Sequence, residues 1–261
     1  MTDGRMWSVS GRGGTLEYGP DGSTRPGPYY MLAVGDDPLV GSGTWKSPEL
    51  NERAVHGAVL AYQRALNREL GGLPSFEGVV VDGLFGEQTA KAVTRWQRRQ
   101  PADRNITVWG GIGQQTSKYL LMPTLETTVS SQFANVVCGI VTQESQWDAG
   151  CVGYTDPGDL GLGQISEIAR EHDNLTERNC FQPITAFSYV EKLIRRAMDA
   201  LDDNLRDAIA AYNLGIAGAQ TWIRAGRPDI WKPSAGATPR DVRGRIDTIL
   251  SACAETARST P

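Results

Sequence analysis

The sequence contains few of the residues that build metal sites and cross-linked folds. Only two histidines occur among its 261 residues, His56 and His172, and they are far apart. Without an HExxH motif or closely spaced histidines, a zinc-dependent hydrolase is not expected, and we predict neither a metal nor another cofactor. The four cysteines are too few for a disulfide scaffold and include no CxxC pair, so we expect them to be mostly reduced. They are Cys138, Cys151, Cys180 and Cys253.

Long apolar runs are also missing. The two longest, residues 29–34 and 136–141, are far too short to span a bilayer, so membrane insertion is not expected. The first residues of the chain lack the apolar segment of a secretory signal peptide, and we therefore expect no classical export.

An excess of basic side chains is absent as well. The formal net charge is -4, and the acidic excess lies in residues 123–261, which contain 18 acidic and 13 basic side chains. Residues 1–122 contain 12 acidic and 13 basic side chains. Proteins that bind nucleic acids need a basic surface that displaces counterions, so nucleic acid is not an expected partner.

The composition is that of a folded protein, with 40% hydrophobic and 21% charged residues. Residues 1–46 are rich in glycine and proline, and only residues 29–34 resemble a strand. Helical periodicity dominates the rest of the chain. We predict a mainly α fold in three parts: an irregular N-terminal arm (1–46), a first helical unit (47–123) and a second helical unit (124–261).

The first helical unit opens with a strong start signal. Ser47 followed by Pro48 is typical of a helix N-terminus, and we predict a helix from about Pro48 to Leu70. One face of this helix is apolar. It carries Val55, Val59, Tyr62 and Leu66.

A recognisable pattern follows at residues 82–89, which read D-G-L-F-G-E-Q-T, and at residues 92–97, which read A-V-T-R-W-Q. Together they resemble the peptidoglycan-binding-like three-helix module, whose loop has the pattern D-G-x-F-G-x-x-T. A weaker second copy of the loop begins near Val108, with Trp109 in place of the usual Asp. The resemblance covers residues 47–122.

This resemblance implies that the first helical unit binds the cell wall. We place the contact broadly on the loop, through Asp82, Gly83, Phe85 and Thr89, and interpret Trp96 as a core residue. The alternative is a helical module kept only for docking. Residues 123–128 are predicted to be a short linker to the second unit.

A predicted helix, which Ser130 or Ser131 can cap and which residues 148–150 end, carries an unusual residue. Val137, Ile140, Val141 and Glu144 follow the spacing of one helical face, so a carboxyl group closes an apolar stripe. Burial favours the protonated form of a carboxyl group, which a general acid requires. The alternative is a solvated glutamate at a helix end, without a catalytic role.

Two later helices are also predicted. Residues 187–201 and 205–212 each have one apolar face, and Gly215 is expected to stop the second of these helices. A short helix near residues 216–223 and a final helix after Thr238 complete an almost wholly helical unit.

Three ordered motifs identify what this unit resembles. They are Glu144-Ser145, the G-L-G-Q-I sequence at residues 161–165 and the A-Y-N-L-G sequence at residues 211–215. Their order resembles the lytic transglycosylase and goose-type lysozyme superfamily, over about residues 132–225. The resemblance implies a lysozyme-like catalytic domain, with Glu144 as the catalytic residue. It further implies that Gln164 and Tyr212 line the cleft, with Ser145 and Asn213 as supporting hydrogen-bonding groups.

The resemblance also implies the reaction. In lytic transglycosylases one carboxyl group donates a proton to the glycosidic oxygen and then, as a base, activates the C6 hydroxyl of the sugar, so no second carboxylate is needed. A lysozyme-type hydrolase that inverts configuration needs a second carboxylate to activate water. Asp148, Asp156 and Asp159 are the nearest candidates, so hydrolysis remains the alternative.

Taken together, the modules resemble those of a bacteriophage endolysin or tail-associated lysin. The expected partner is bacterial cell-wall peptidoglycan, and residues 1–46 are a candidate attachment to phage tail or baseplate proteins. Such a protein is made in the host cytoplasm and acts at the cell wall. The competing interpretation is a non-catalytic virion or baseplate protein that binds the wall.

Overall fold

The computed structural model describes residues 5–6, 30–32, 37–38, 48–153, 158–234 and 239–258. The remainder of the predicted arm, and Asp156, lie outside these residues. The described chain is mainly helical, which confirms the predicted fold class. It divides into two compact units, one of Met1–Thr127 with Glu144–Ala186, the other of Thr128–Gln143 with Phe187–Pro261.

Short strands accompany the helices in three two-stranded pairs. Strand β1 (Arg5–Met6) pairs in parallel with β3 (Asp37–Pro38). Strand β2 (Tyr30–Leu32), within the predicted strand, pairs antiparallel with β4 (Ile112–Gly113). In the other unit, β5 (Ile230–Trp231) pairs antiparallel with β6 (Arg240–Asp241).

Three helices follow the arm. Helix α1 (Pro48–Leu70) has the predicted bounds, and the four residues of its predicted apolar face are buried. Helix α2 (Glu87–Gln97) follows the first loop and buries Trp96, as predicted. Helix α3 (Gln114–Thr128) follows the second loop.

The predicted linker at residues 123–128 is wrong, because α3 continues through Pro123 to Thr128. A proline inside a helix removes one backbone hydrogen bond and costs about 3 kcal/mol. Leu120, Leu121 and Leu125 are fully buried on either side of it. Their burial stabilises the helix by about 1.5–3 kcal/mol each, which is more than the proline costs.

The remaining helices begin with α4 (Ser131–Ser145), which ends beside the predicted catalytic residue. Val137, Ile140 and Val141 of its apolar stripe are fully buried. Short helices α5 (Glu167–Asp173) and α6 (Glu177–Cys180) follow.

The last three helices are α7 (Pro183–Ala200), α8 (Leu205–Arg224) and α9 (Val242–Arg258). Gly215 interrupts α8 where the stop is predicted, with a non-helical φ of 69° and ψ of 161°. A second helical segment follows the resulting bend, at the position of the predicted short helix. Buried Ala219 and Trp222 hold the continued part in the core. None of the described helices is both long enough and apolar enough to cross a membrane.

Candidate active site

Glu144 lies in the last turn of α4 and is half-buried, while the next residue, Ser145, is buried. The chain then reverses sharply. Gln146 and Trp147 have φ angles of 53° and 68°, in the left-handed region. That conformation costs roughly 1–2 kcal/mol for each residue with a side chain. Contacts elsewhere must therefore hold this turn, and they also hold the end of the helix that carries Glu144.

A chain of buried hydrogen bonds supplies part of that support. The Ser117 hydroxyl of α3 donates to the carbonyl oxygen of Trp147 at 2.6 Å. Since this uses the Ser117 hydrogen, the Tyr62 hydroxyl of α1 donates to Ser117 Oγ at 2.8 Å. The Ala149 N–H in turn donates to the Tyr62 oxygen at 3.4 Å. This series of hydrogen bonds thus begins and ends on the turn after Glu144, at Trp147 and Ala149.

Burial, with a smaller contribution from Asp148, raises the pKa of Tyr62 well above its ordinary value. Tyr62 therefore remains a hydrogen-bond donor at any pH at which the protein works. Apolar packing adds to this support, since the Trp147 side chain is completely buried. Gly150 lies directly against α1, where an added Cβ would be 3.2 Å from the carbonyl oxygen of Ala54.

Three carboxyl groups lie on this part of the chain, those of Glu144, Asp148 and Asp159. Asp148 is buried, and its Oδ1 accepts the Gly150 N–H at 2.9 Å, so it caps the turn. Burial, followed by repulsion from Glu144, raises the pKa of Asp159, against the opposing effect of Arg170. Burial and all three carboxylates raise the pKa of the Cys151 thiol. Among the candidates for a second carboxylate, Asp148 caps the turn, and the pKa of Asp159 is raised by its burial and then by Glu144.

Backbone bonds tie together residues 151–153 and 158–165, the described parts of the segment after the turn. Bridges join Val152 with Leu160 and Leu160 with Ile165. Buried Arg170 donates to the carbonyl oxygens of Gly158 and Ile165 at 3.1 and 2.8 Å. These contacts hold residues 158–165, which include Asp159. No group of three or more His, Cys, Asp or Glu side chains in the described part of the chain is arranged to hold a metal ion.

The glycine-rich motif at residues 161–165 passes close to the backbone at Cys180. Gly161 has φ 69°, and a Cβ there would overlap the carbonyl oxygen of Cys180. Gln164, at φ 47°, is half-buried and donates through its side-chain amide to the carbonyl oxygens of Gly161 at 2.9 Å and Cys151 at 3.3 Å. It therefore ties the motif to the segment that follows Glu144. Its role towards the sugar remains a prediction.

Tyr212 and Asn213 lie on α8, in the other compact unit, just before the bend at Gly215. Both side chains are half-buried. The carbonyl oxygen of Asn213 accepts a hydrogen bond from Arg240 at 2.9 Å. Their predicted roles in the cleft remain predictions.

The residues predicted to bind the wall divide into two groups. Asp82 is exposed, whereas Gly83, Phe85 and Thr89 are buried and build the interior of the loop. Leu84, not singled out from the sequence, is 65% exposed. Any wall contact of this loop is therefore available to exposed residues such as Asp82 and Leu84, and not to the buried side chains.

Several residues with structural roles at this site are missed by reading the sequence. Tyr62 and Ser117 look like ordinary helix residues, because their partners at Trp147 and Ala149 are far away in the sequence. Gln63 and Gln97, which organise the two loops, have a detectable signal. They end the similar sequences A-V-L-A-Y-Q at residues 58–63 and A-V-T-R-W-Q at residues 92–97.

Comparison with protein families identifies the catalytic part of the chain. Residues 127–231 match the family model described as Transglycosylase SLT domain. The chain therefore contains a lytic transglycosylase domain, of a family that cleaves glycosidic bonds of peptidoglycan. This confirms the predicted enzyme class and its lysozyme-like helical fold. Comparisons with curated proteins and with solved structures gave no significant match.

Proposed function

We propose that the protein cleaves the bond between N-acetylmuramic acid and N-acetylglucosamine by lytic transglycosylation, with Glu144 as the catalytic residue. The observation that carries the proposal is the position of Glu144. It lies within the matched domain, at the end of an apolar helical stripe, directly before a strained turn that buried contacts hold in place. A catalytic group needs such a fixed position, because small displacements reduce the rate strongly.

The reaction needs one carboxyl group acting twice. Protonated Glu144 donates its proton to the glycosidic oxygen as the bond from that oxygen to C1 of the muramic acid breaks. The Glu144 carboxylate then accepts the proton of the C6 hydroxyl of the same sugar. As that proton leaves, O6 attacks C1 and closes a 1,6-anhydro ring. Glu144 regains its proton, and no water is consumed.

The test is Glu144→Gln, which keeps the shape of the side chain but cannot donate this proton. General acid–base catalysis contributes about 10²–10⁴-fold, so we expect at least about a 100-fold loss of peptidoglycan cleavage. Glu126→Gln is the matched control, because Glu126 is an exposed glutamate on α3. Near-normal activity of the Glu144 variant, with a native circular dichroism spectrum, would disprove the assignment.

Hydrolysis of the same bond is the second candidate, and Asp159 is the observation that favours it. Its carboxyl group is half-buried, and this burial, followed by repulsion from Glu144, raises its pKa. Mass spectrometry of the released muropeptides separates the two reactions, because transglycosylation leaves anhydro ends and hydrolysis leaves reducing ends. We expect anhydro ends, and Asp159→Asn should leave their proportion unchanged. Reducing ends that disappear in this variant would establish hydrolysis with Asp159 as base.

For the biological setting, we propose a phage-encoded lysin that acts on the bacterial wall, either free or carried in the virion. The combination of a transglycosylase domain with a wall-binding-like helical module supports this proposal. Residues 1–46 would attach the protein to tail or baseplate proteins. Mass spectrometry of purified particles tests the virion form. A zymogram tests the competing non-catalytic role, since clearing of cell-wall substrate by the full chain excludes it.

A further inference from the structure

A pocket in the first compact unit is separate from the residues assigned to catalysis. It has a volume of about 540 Å³ and lies between α1 and the segment around α6. Ligand pockets commonly have volumes of about 300–1,000 Å³, so this one is large enough for a small ligand. Its wall contains three arginines, Arg53, Arg64 and Arg178.

The charges around the pocket favour an anion. Arg53 forms an ion pair with Glu177 at 2.9 Å. Arg64 and Arg178 are exposed and form no ion pair with any residue in the described ranges. Two guanidinium groups thus face the pocket without a carboxylate partner. Arginine binds carboxylates and phosphates through paired hydrogen bonds, which suits it to ligands with planar acidic groups.

The other lining residues are an imidazole, an apolar floor and a side-chain amide. His56 lies against Gly83 of the first loop, where an added Cβ would overlap its imidazole ring. The floor is apolar and consists of Gly57, Leu60 and Ala61. The side-chain amide of Gln182 completes the lining and can both donate and accept hydrogen bonds.

The pocket therefore offers three features: two arginines without a carboxylate partner, an apolar floor and a side-chain amide. A phosphate polymer would use only the arginines. A short peptide with small apolar side chains and free carboxylates would use all three. We propose that this pocket binds a carboxylate-bearing peptide and that its ligand is the stem peptide of peptidoglycan. The choice of peptidoglycan rests on the function proposed above. The pocket would then select peptide-bearing glycan strands, a property separate from cleavage.

The test uses the full chain and the variant Arg64→Gln/Arg178→Gln. The probe is the free tetrapeptide L-Ala–γ-D-Glu–L-Lys–D-Ala, titrated calorimetrically beside the same peptide with its carboxylates amidated. We expect the variant and the amidation each to weaken binding at least tenfold. Arg98→Gln/Arg99→Gln is the matched control, since both arginines are exposed on the same helical module, and it should bind as the wild type does.

Equal binding by the pocket variant and the wild type would overturn the proposal. So would competition by polyphosphate at the same concentration as the peptide, which would indicate a general anion site. Binding is measured without turnover, so Glu144→Gln should retain it even if the catalytic assignment fails. Conversely, the pocket variant should cleave peptide-free glycan strands at the wild-type rate. On peptide-bearing strands it should cleave more slowly than the wild type.

Discussion

The two loops that precede α2 and α3 share a hydrogen-bonded framework but differ in what surrounds them. In the first, Gln63 Oε1 accepts the N–H groups of Asp82 and Gly83 at 3.0 and 2.9 Å. Its side-chain amide donates to the carbonyl oxygen of Leu84 at 3.0 Å and to Thr89 Oγ1 at 3.3 Å. One buried glutamine therefore closes the whole loop.

The second loop repeats this arrangement with Gln97. Its Oε1 accepts the N–H groups of Trp109 and Gly110 at 3.0 and 3.1 Å. Its amide donates to the carbonyl oxygen of Gly111 at 2.8 Å and to Thr116 Oγ1 at 3.1 Å. The weak second copy in the sequence is thus a true structural repeat.

The surroundings separate the two loops. The first exposes Asp82 and Leu84, whereas in the second Gly111 and Ile112 are buried, and Ile112 belongs to the strand that pairs with β2. The residue after the closing threonine also differs. In the first loop it is Ala90, and in the second it is Ser117, which reaches the turn behind Glu144. The framework builds both loops, and positions outside it assign one to the surface and the other to the support of the active site.

The largest effect is expected from removing the glutamines. Gln97→Ala leaves several buried backbone groups without partners, at about 1–3 kcal/mol each, so we expect a loss of stability of about 3 kcal/mol or more. Gln63→Ala should cost about 1–2 kcal/mol less, because water reaches the exposed first loop. Urea denaturation measures both values. Equal losses would mean that the difference in burial does not matter.

Ser117→Ala should come next. It removes the donor to the Trp147 carbonyl oxygen, costing about 1–2 kcal/mol, and it loosens the turn behind Glu144. We expect cleavage to fall roughly tenfold in kcat, with little change in KM, because a misplaced catalytic group affects the chemical step. The matched control is Ala90→Ser, at the equivalent position of the first loop. If both variants retain full kcat, Ser117 does not position the site.

A smaller, pH-dependent effect is expected at Asp82. The Gln63 amide, together with the Leu84 N–H, lowers the pKa of Asp82 from its ordinary value of 3.8. The ionised group therefore contributes stability that is complete above pH 3.8 and is lost as the pH falls through the lower pKa of the folded state. Since Asp82 is exposed, we expect Asp82→Asn to cost roughly 0.5 kcal/mol at pH 7.

The difference in stability between the wild type and Asp82→Asn should shrink in acid. Thermal melts at pH 7 and below pH 3.8 would detect this change. Asp103→Asn serves as the control, because Asp103 lies in an exposed short helix outside both loops. A cost that stays constant with pH would show that the carboxylate charge of Asp82 plays no part in closing the loop.

The smallest effect on stability is expected at Leu84. Because its side chain is exposed, Leu84→Ala should change stability by no more than about 0.5 kcal/mol. If the first loop contacts the wall, the variant should cosediment several-fold less with purified cell walls. Val108→Ala, an exposed apolar residue beside the second loop, should bind normally. Equal binding by both variants would remove the first loop from the wall-binding surface.

Much of the helical framework is predictable because its signals are local. Neighbouring residues are enough to predict the start of α1 at Pro48. The helical spacing of apolar side chains is enough to predict the apolar face of α1 and the stripe leading to Glu144. The interruption at Gly215 and the helical segment after it also follow from local signals, namely the glycine and the apolar spacing of residues 216–223. Pro123 misleads for the opposite reason, since a local breaker is outweighed by leucines packing against distant parts of the chain.

The order of the three motifs can be read from the residues alone, and with it a transglycosylase domain and a candidate catalytic residue are predicted. The repetition of the loop pattern is also visible in the residues alone. Contacts between distant residues were needed to show that Ser117 and Tyr62 hold the turn behind Glu144, and that burial and repulsion from Glu144 raise the pKa of Asp159. The physical reason is that burial, hydrogen bonding and charge repulsion depend on neighbours that long-range packing brings together.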